Sequence, residues 1–168
     1  IELSGGSYDE DQLKKLKELK KYQSFKVHNY FPPPKEPFVF NLASFSEEII
    51  SKTLNQIEIA MQYAIELDSP QYSFHGGFLM EPKVSELGKI IINRKLYERK
   101  EALKVFLDRL NIISQRAEEL GVSLLIENNP LTKKNLTQFG SSPFLMVDNE
   151  ECSFIMEQTP SNVNLLID

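Results

Sequence analysis

The feature that most constrains the fold is an alternation of short apolar runs with helical periodicity. Phe25-Lys26-Val27-His28-Asn29, Gln71-Tyr72-Ser73-Phe74-His75, Val122 to Glu127 and Val163 to Asp168 read as strands, and Ile1-Glu2-Leu3 adds a shorter one. Helical spacing fills the intervals. Asp9 to Tyr22 places leucines at 13, 16 and 19, with acidic residues at its start and lysines towards its end, the order that suits the helix dipole. Ser44 to Glu47 reads as a capping box ahead of a helix from Ile49 to Leu67. A further helix from Tyr97 to Leu120 would bury Leu103, Phe106, Leu110, Ile113 and Ala117, with Gly121 closing it. A shorter one is expected near Glu150 to Gln158. Tyr30 to Pro34 must be irregular, because consecutive prolines continue neither element, and Phe38 to Leu42 either extends that loop or adds a return strand. Strands separated by helices imply a parallel sheet with right-handed crossovers. Val122 to Glu127 is a near-continuous apolar run, as expected of a strand buried on both faces. Periodicity alone leaves open whether the sheet is doubly wound or barrel-forming.

Composition narrows the class. The 168 residues make one domain or a large part of one, and a 41% apolar fraction is enough for a core. Acidic residues outnumber basic ones by 24 to 19, a net charge of -5, which argues against a broad basic face for duplex nucleic acid. The single cysteine, Cys152, excludes an internal disulfide framework and a four-thiolate zinc site, and points to a reducing, cytoplasmic setting. No apolar run is long enough for a transmembrane helix, and no signal-peptide pattern opens the chain. The chain opens on Ile1-Glu2-Leu3 and closes on a strand-like run, so residues 1–168 are expected to be part of a larger domain.

Four strands end on an ionisable residue: His28, His75, Glu127 and Asp168. In parallel α/β folds the carboxyl ends of the strands share one rim, where active sites are built. Each pair of consecutive strand ends is far enough apart for one helical crossover. Two imidazoles and two carboxylates on one rim suit a divalent metal with oxygen and nitrogen ligands, or acid–base chemistry on a polar substrate. No glycine-rich dinucleotide fingerprint and no P-loop are present. Cys152 reads as structural, and lysines 14, 15, 17, 20 and 21 as a solvated helix face. Tyr30 to Pro34 with Phe38 would form either an aromatic wall over a site or a packed lid.

Taken with their neighbours, these residues resemble the xylose-isomerase-like TIM-barrel superfamily, which holds sugar isomerases and epimerases and also endonuclease IV-type nucleases. Ile1-Glu2-Leu3, Val27-His28-Asn29, Asn41-Leu42-Ala43-Ser44, Phe74-His75-Gly76-Gly77, Leu125-Ile126-Glu127-Asn128 and Val163 to Asp168 carry the resemblance across the chain. It implies a TIM-barrel-type parallel sheet, incomplete, with about strands two to six of eight present. It further implies Glu127, Asp168 and His75 as metal ligands, Glu127 and His75 as catalytic, and His28, Asn41 and Asn128 as substrate-binding. The cofactor would be a divalent metal (Mn, Mg, Co or Zn) and the partner a small sugar. Nucleic acid and membrane partners are not expected, and a homodimer is compatible with the family.

The resemblance implies proton transfer through an enediolate on a sugar, sugar phosphate or related hydroxy-ketone. The metal would polarise the carbonyl while a carboxylate moves the proton. That activity is expected of the complete barrel rather than of these 168 residues alone. One alternative is a zinc-dependent abasic-site endonuclease. It is disfavoured because the nuclease branch usually carries Pro-Gly after the fourth-strand histidine and a Thr-Ala-Gly-like turn after the glutamate. Here Gly76-Gly77 and Asn128-Asn129-Pro130 stand in those places. A non-catalytic sugar-binding barrel is the other alternative.

Overall fold

The computed structural model describes residues 1–91 and 95–167. Five strands, β1 (Glu2–Leu3), β2 (Lys26–His28), β3 (Gln71–His75), β4 (Ser123–Glu127) and β5 (Val163–Leu166), form one sheet in the order β1-β2-β3-β4-β5, every neighbouring pair parallel. Sequential order settles the question that periodicity left open. A doubly wound sheet reverses its strand order at a switch point, whereas each strand here is added to the same edge, as in a barrel. The sheet is an open arc with β1 and β5 at its edges, an incomplete TIM-barrel wall.

The helices are α1 (Gln12–Leu19), α2 (Glu47–Glu66), α3 (Arg99–Glu119), α4 (Lys133–Phe139) and α5 (Asn149–Gln158). Among them α2 packs on β2 and β3, α3 on β4 and on α2, and α5 on β5. No helix among the described residues is long and apolar enough to cross a membrane.

Strand period assigns the faces. Registered partners in a parallel pair point to the same side. Val27, Tyr72, Phe74, Leu124, Ile126 and Val163 therefore lie on one side, and all are buried beneath the helices. They meet Ile57, Ala60, Met61, Phe106, Leu110 and Ile155 in a single core cluster. Fully burying a side chain of this size contributes about 1.5–3 kcal/mol, so this face dominates stability. The opposite side carries His28, Ser73, His75, Leu125, Glu127 and Asn164. There Leu125 is half-buried and Asn164 exposed, so β4 is not sealed on both faces as its apolar run suggests. An open arc leaves its concave side only partly covered.

Several boundaries move, each for a local reason. Ser46, not Ser44, caps α2, its hydroxyl accepting from the Ile49 amide. Ser44 is drawn away by hydrogen bonds to the Glu81 carboxylate and the Ser46 amide. The expected start of α3 at Tyr97 slips to Arg99 because the Tyr97 hydroxyl also reaches Glu81, at 2.6 Å. On α3, Ala102 is sealed in the core where Leu103 was expected, and Leu103 packs only at its margin. Gly121 follows the helix with φ +68°, a left-handed turn that favours glycine. Phe38 to Leu42 is a buried loop and no strand. The unexpected α4 buries none of its side chains, so it leaves no apolar stripe to read; its reciprocal Thr132–Asn135 cap marks its start. Cys152 is buried on α5 with its thiol pushed up by burial, which fits a structural role.

Candidate metal centre

Register brings the strand-end residues together. His75 is the in-register partner of Glu127, and His28 the partner of Ser73, so both histidines and the glutamate sit on the concave side at the carboxyl ends of β2, β3 and β4. Glu127 Oε2 lies 3.4 Å from His28 Nε2 and 3.8 Å from His75 Nδ1. The two imidazoles meet edge to face, centroids 5.2 Å apart and planes at 86°. One ligand atom from each of the three residues falls within 4.8 Å of the others. His28 and Glu127 are buried, each with about 8% of its side chain exposed, whereas 33% of the His75 side chain is open.

The donor chemistry fits a cation. His75 Nδ1 is buried and has no hydrogen-bond partner among the described residues; its 3.8 Å to Glu127 is too long for one. A buried polar nitrogen beside a buried carboxylate is costly unless something satisfies both. A divalent metal taking one atom from each residue would do so, and two imidazoles with one carboxylate form a set suited to zinc and its neighbours. The cluster is capable of coordinating a divalent metal ion.

The remaining expected residues divide. Asp168 lies outside the described residues. Asn128 is half-buried at the rim, its amide N–H donating to the Leu166 carbonyl at 3.3 Å. Asn41 is buried, and both ends of its amide are engaged with the chain. Oδ1 accepts from the Ala43 and Phe78 amides, and Nδ2 donates to the Phe78 and Met80 carbonyls. These contacts bind two loops together, and Asn41 lines the cavity beside His75.

Those loops shape a cavity of about 290 Å³, lined by His75, Tyr30, Phe38, Phe40, Phe78 and Asn129 among others. Tyr30 and Phe38 pack with centroids 5.5 Å apart, and the Tyr30 hydroxyl accepts from the Phe38 amide at 2.7 Å. Both line this cavity with His75, whereas Pro32, Pro33 and Pro34 line another. Gly77 admits the Asn41 loop: a Cβ there would stand 2.5 Å from the Ala43 Cβ. Asn129 ties the ends of β3 and β4 together, its Nδ2 donating to the carbonyls of Gly76 and Leu145 at 2.8 Å each.

Three of these positions escape a strand-end search. Ser73 sits two residues before His75 and so on the same face, a period-two signal present in the sequence. Asn129 and Gly77 stand just past the strand ends, but their roles come from contacts far along the chain.

Together the fold and site define a barrel-type parallel α/β protein with a metal-capable donor set at the carboxyl ends of its strands. The chain belongs to the Xylose isomerase-like TIM barrel family, whose profile matches residues 1–168. No curated protein matches the sequence. Among solved structures, a D-tagatose 3-epimerase-like protein is 25% identical with a TM-score of 0.67, over 95% of this chain and 51% of the other. D-psicose 3-epimerase from Clostridium cellulolyticum H10 is 15% identical with a TM-score of 0.63, over 96% of this chain and 49% of that one. An AP endonuclease, family 2, from Brucella melitensis is 18% identical with a TM-score of 0.62, over 98% and 55%. The last two are likenesses of fold. The chain spans about half the length of these relatives.

Proposed function

We propose that this chain carries part of the active site of a metal-dependent isomerase or epimerase acting on a sugar, a sugar phosphate or a related hydroxy-ketone. The observation that carries the proposal is the buried His28–His75–Glu127 cluster beside an aromatic-walled cavity, in a chain similar to a D-tagatose 3-epimerase-like protein. His28, His75 and Glu127 would hold the metal, with Asp168 as a further carboxylate. When bound, a divalent ion supplies positive charge that makes a substrate carbonyl easier to enolise.

The chain's own residues do the rest. Glu127, whose Oε2 faces both imidazoles, would also carry a proton to or from the carbon beside the carbonyl. His75, partly open on the cavity wall, orients a hydroxyl. Tyr30, Phe38 and Phe40 offer apolar surface to the C–H face of a sugar and keep bulk water away from the transferring proton. Asn128 at the rim adds polar contacts. The test, run on protein carrying the complete barrel, is solvent deuterium incorporation beside the carbonyl, followed by NMR across a broad ketose panel. Exchange should require added divalent metal and should be lost in Glu127→Gln; a panel with no metal-dependent exchange sinks the proposal.

One observation favours a second reading. Two imidazoles facing one carboxylate oxygen form a nitrogen-rich set that zinc prefers, as a zinc-dependent phosphodiesterase would use. Tight binding of several zinc ions per chain, together with cleavage of abasic duplex DNA, would decide for it.

A further inference from the structure

Ser73 has none of the roles above, yet it touches the cluster from behind. Its Oγ lies 2.9 Å from His28 Nδ1, across the in-register pair of β2 and β3, and both residues are buried. On the other side of the same ring, Nε2 faces Glu127 Oε2 at 3.4 Å. A neutral imidazole carries one ring proton, and a hydroxyl both donates and accepts. With the proton on Nε2, the ring points an N–H at the carboxylate and Ser73 donates to Nδ1. With the proton on Nδ1, Ser73 accepts it, and the Nε2 lone pair is aimed into the donor cluster. A carbonyl in this place would serve only the second arrangement, and a backbone N–H only the first.

We infer that Ser73 is a positioning residue for His28, holding the ring in one orientation while serving both of its tautomers. His28 thereby passes from partner of Glu127 to metal ligand without turning. In that exchange the Nε2–H bond breaks, an Nδ1–H bond forms, solvent carries the proton, and the ring stays neutral. The tautomer exchange rests on the metal-centre reading; the holding of the ring does not. Outer partners of metal-bound histidines fix tautomer and orientation, and their removal typically weakens metal binding by about 10–100-fold.

The test uses the protein labelled with 15N-histidine, at about pH 8.5 where an ordinary imidazole is neutral. Long-range 1H–15N spectra are recorded after chelator treatment and again with zinc, and zinc affinity is measured by chelator competition. Wild-type His28 should carry its proton on Nε2 in the stripped protein and on Nδ1 with zinc. Ser73→Ala should shift the stripped-state His28 signals and lower zinc affinity about 10–100-fold. Ser73→Thr, which keeps the hydroxyl, should restore both. Ser73→Ala with wild-type signals and wild-type affinity overturns the inference, as does a wild-type tautomer that zinc leaves unchanged. If wild-type protein takes up no zinc, the metal reading and the tautomer exchange fall together. The stripped-state comparison of wild type with Ser73→Ala then still decides whether Ser73 holds the ring.

Discussion

The two faces of the sheet are built from the same strands and do opposite things. On the helix-covered face, Tyr72, Phe74, Leu124 and Ile126 are sealed, and the one of these four that can ionise is a tyrosine whose hydroxyl donates to the Asn29 carbonyl. On the concave face, one residue away along each strand, stand His28, Ser73, His75 and Glu127, polar groups held close and only partly satisfied. Packing pays for the polar face: a buried orphan nitrogen is tolerable because the other side of the same strands supplies the stability. Stability and chemistry are separated here by a single residue step along each strand, and mutations should separate them too.

The largest effect should come from the apolar side. Phe74→Ala opens a cavity between the sheet and the Phe40 and Tyr72 rings that flank it, and is expected to lower unfolding free energy by about 3–5 kcal/mol in denaturant titration. Its metal-binding residues are untouched in sequence, so any loss of affinity should follow the unfolded fraction. Glu127→Gln should do the reverse. Divalent metal affinity, measured by calorimetry, should fall at least about 100-fold, equivalent to about 2.8 kcal/mol, with the midpoint of unfolding in chelator nearly unchanged. A variant that loses stability and affinity in parallel would show that the faces are coupled.

Asn129→Ala tests the seam between them. It leaves the carbonyls of Gly76 and Leu145 without their amide donor and should cost about 1–3 kcal/mol, together with a measurable loss of metal affinity as the ends of β3 and β4 loosen. The smallest effect belongs to the outer surface. Arg116 on α3 pairs with Glu58 on α2 at 2.9 Å and holds that carboxyl below its ordinary value through a hydrogen bond. A depressed carboxylate adds stability above its unfolded pKa and loses it as pH falls through the folded one. Arg116→Ala should therefore cost about 0–1 kcal/mol at neutral pH, a difference that shrinks towards acid in pH-resolved melts.

Much of this was legible in the residues themselves. His28, His75 and Glu127 each end an apolar run, and that alone marks them as rim residues. Caps and periodicity located α2, α3 and α5 to within a few positions. The errors cluster where a side chain takes a distant partner: Ser44 and Tyr97 both turn to Glu81, and so neither begins the helix expected of it. Asn41 lines the cavity, and its amide is also engaged with the Phe78 and Met80 segment. No local pattern could show that, since the partner segment lies beyond the next strand in the chain.

The sequence by itself determined the alternation of elements and which ionisable groups end the apolar runs of β2, β3 and β4. These follow from backbone period and local capping, which act within a few residues. Only the tertiary structure decided that the strands are added in sequential order, that His75 stands in register with Glu127, and that His28 leans on Ser73. Those outcomes depend on contacts between segments far apart along the chain, where period assigns a face but not a neighbour.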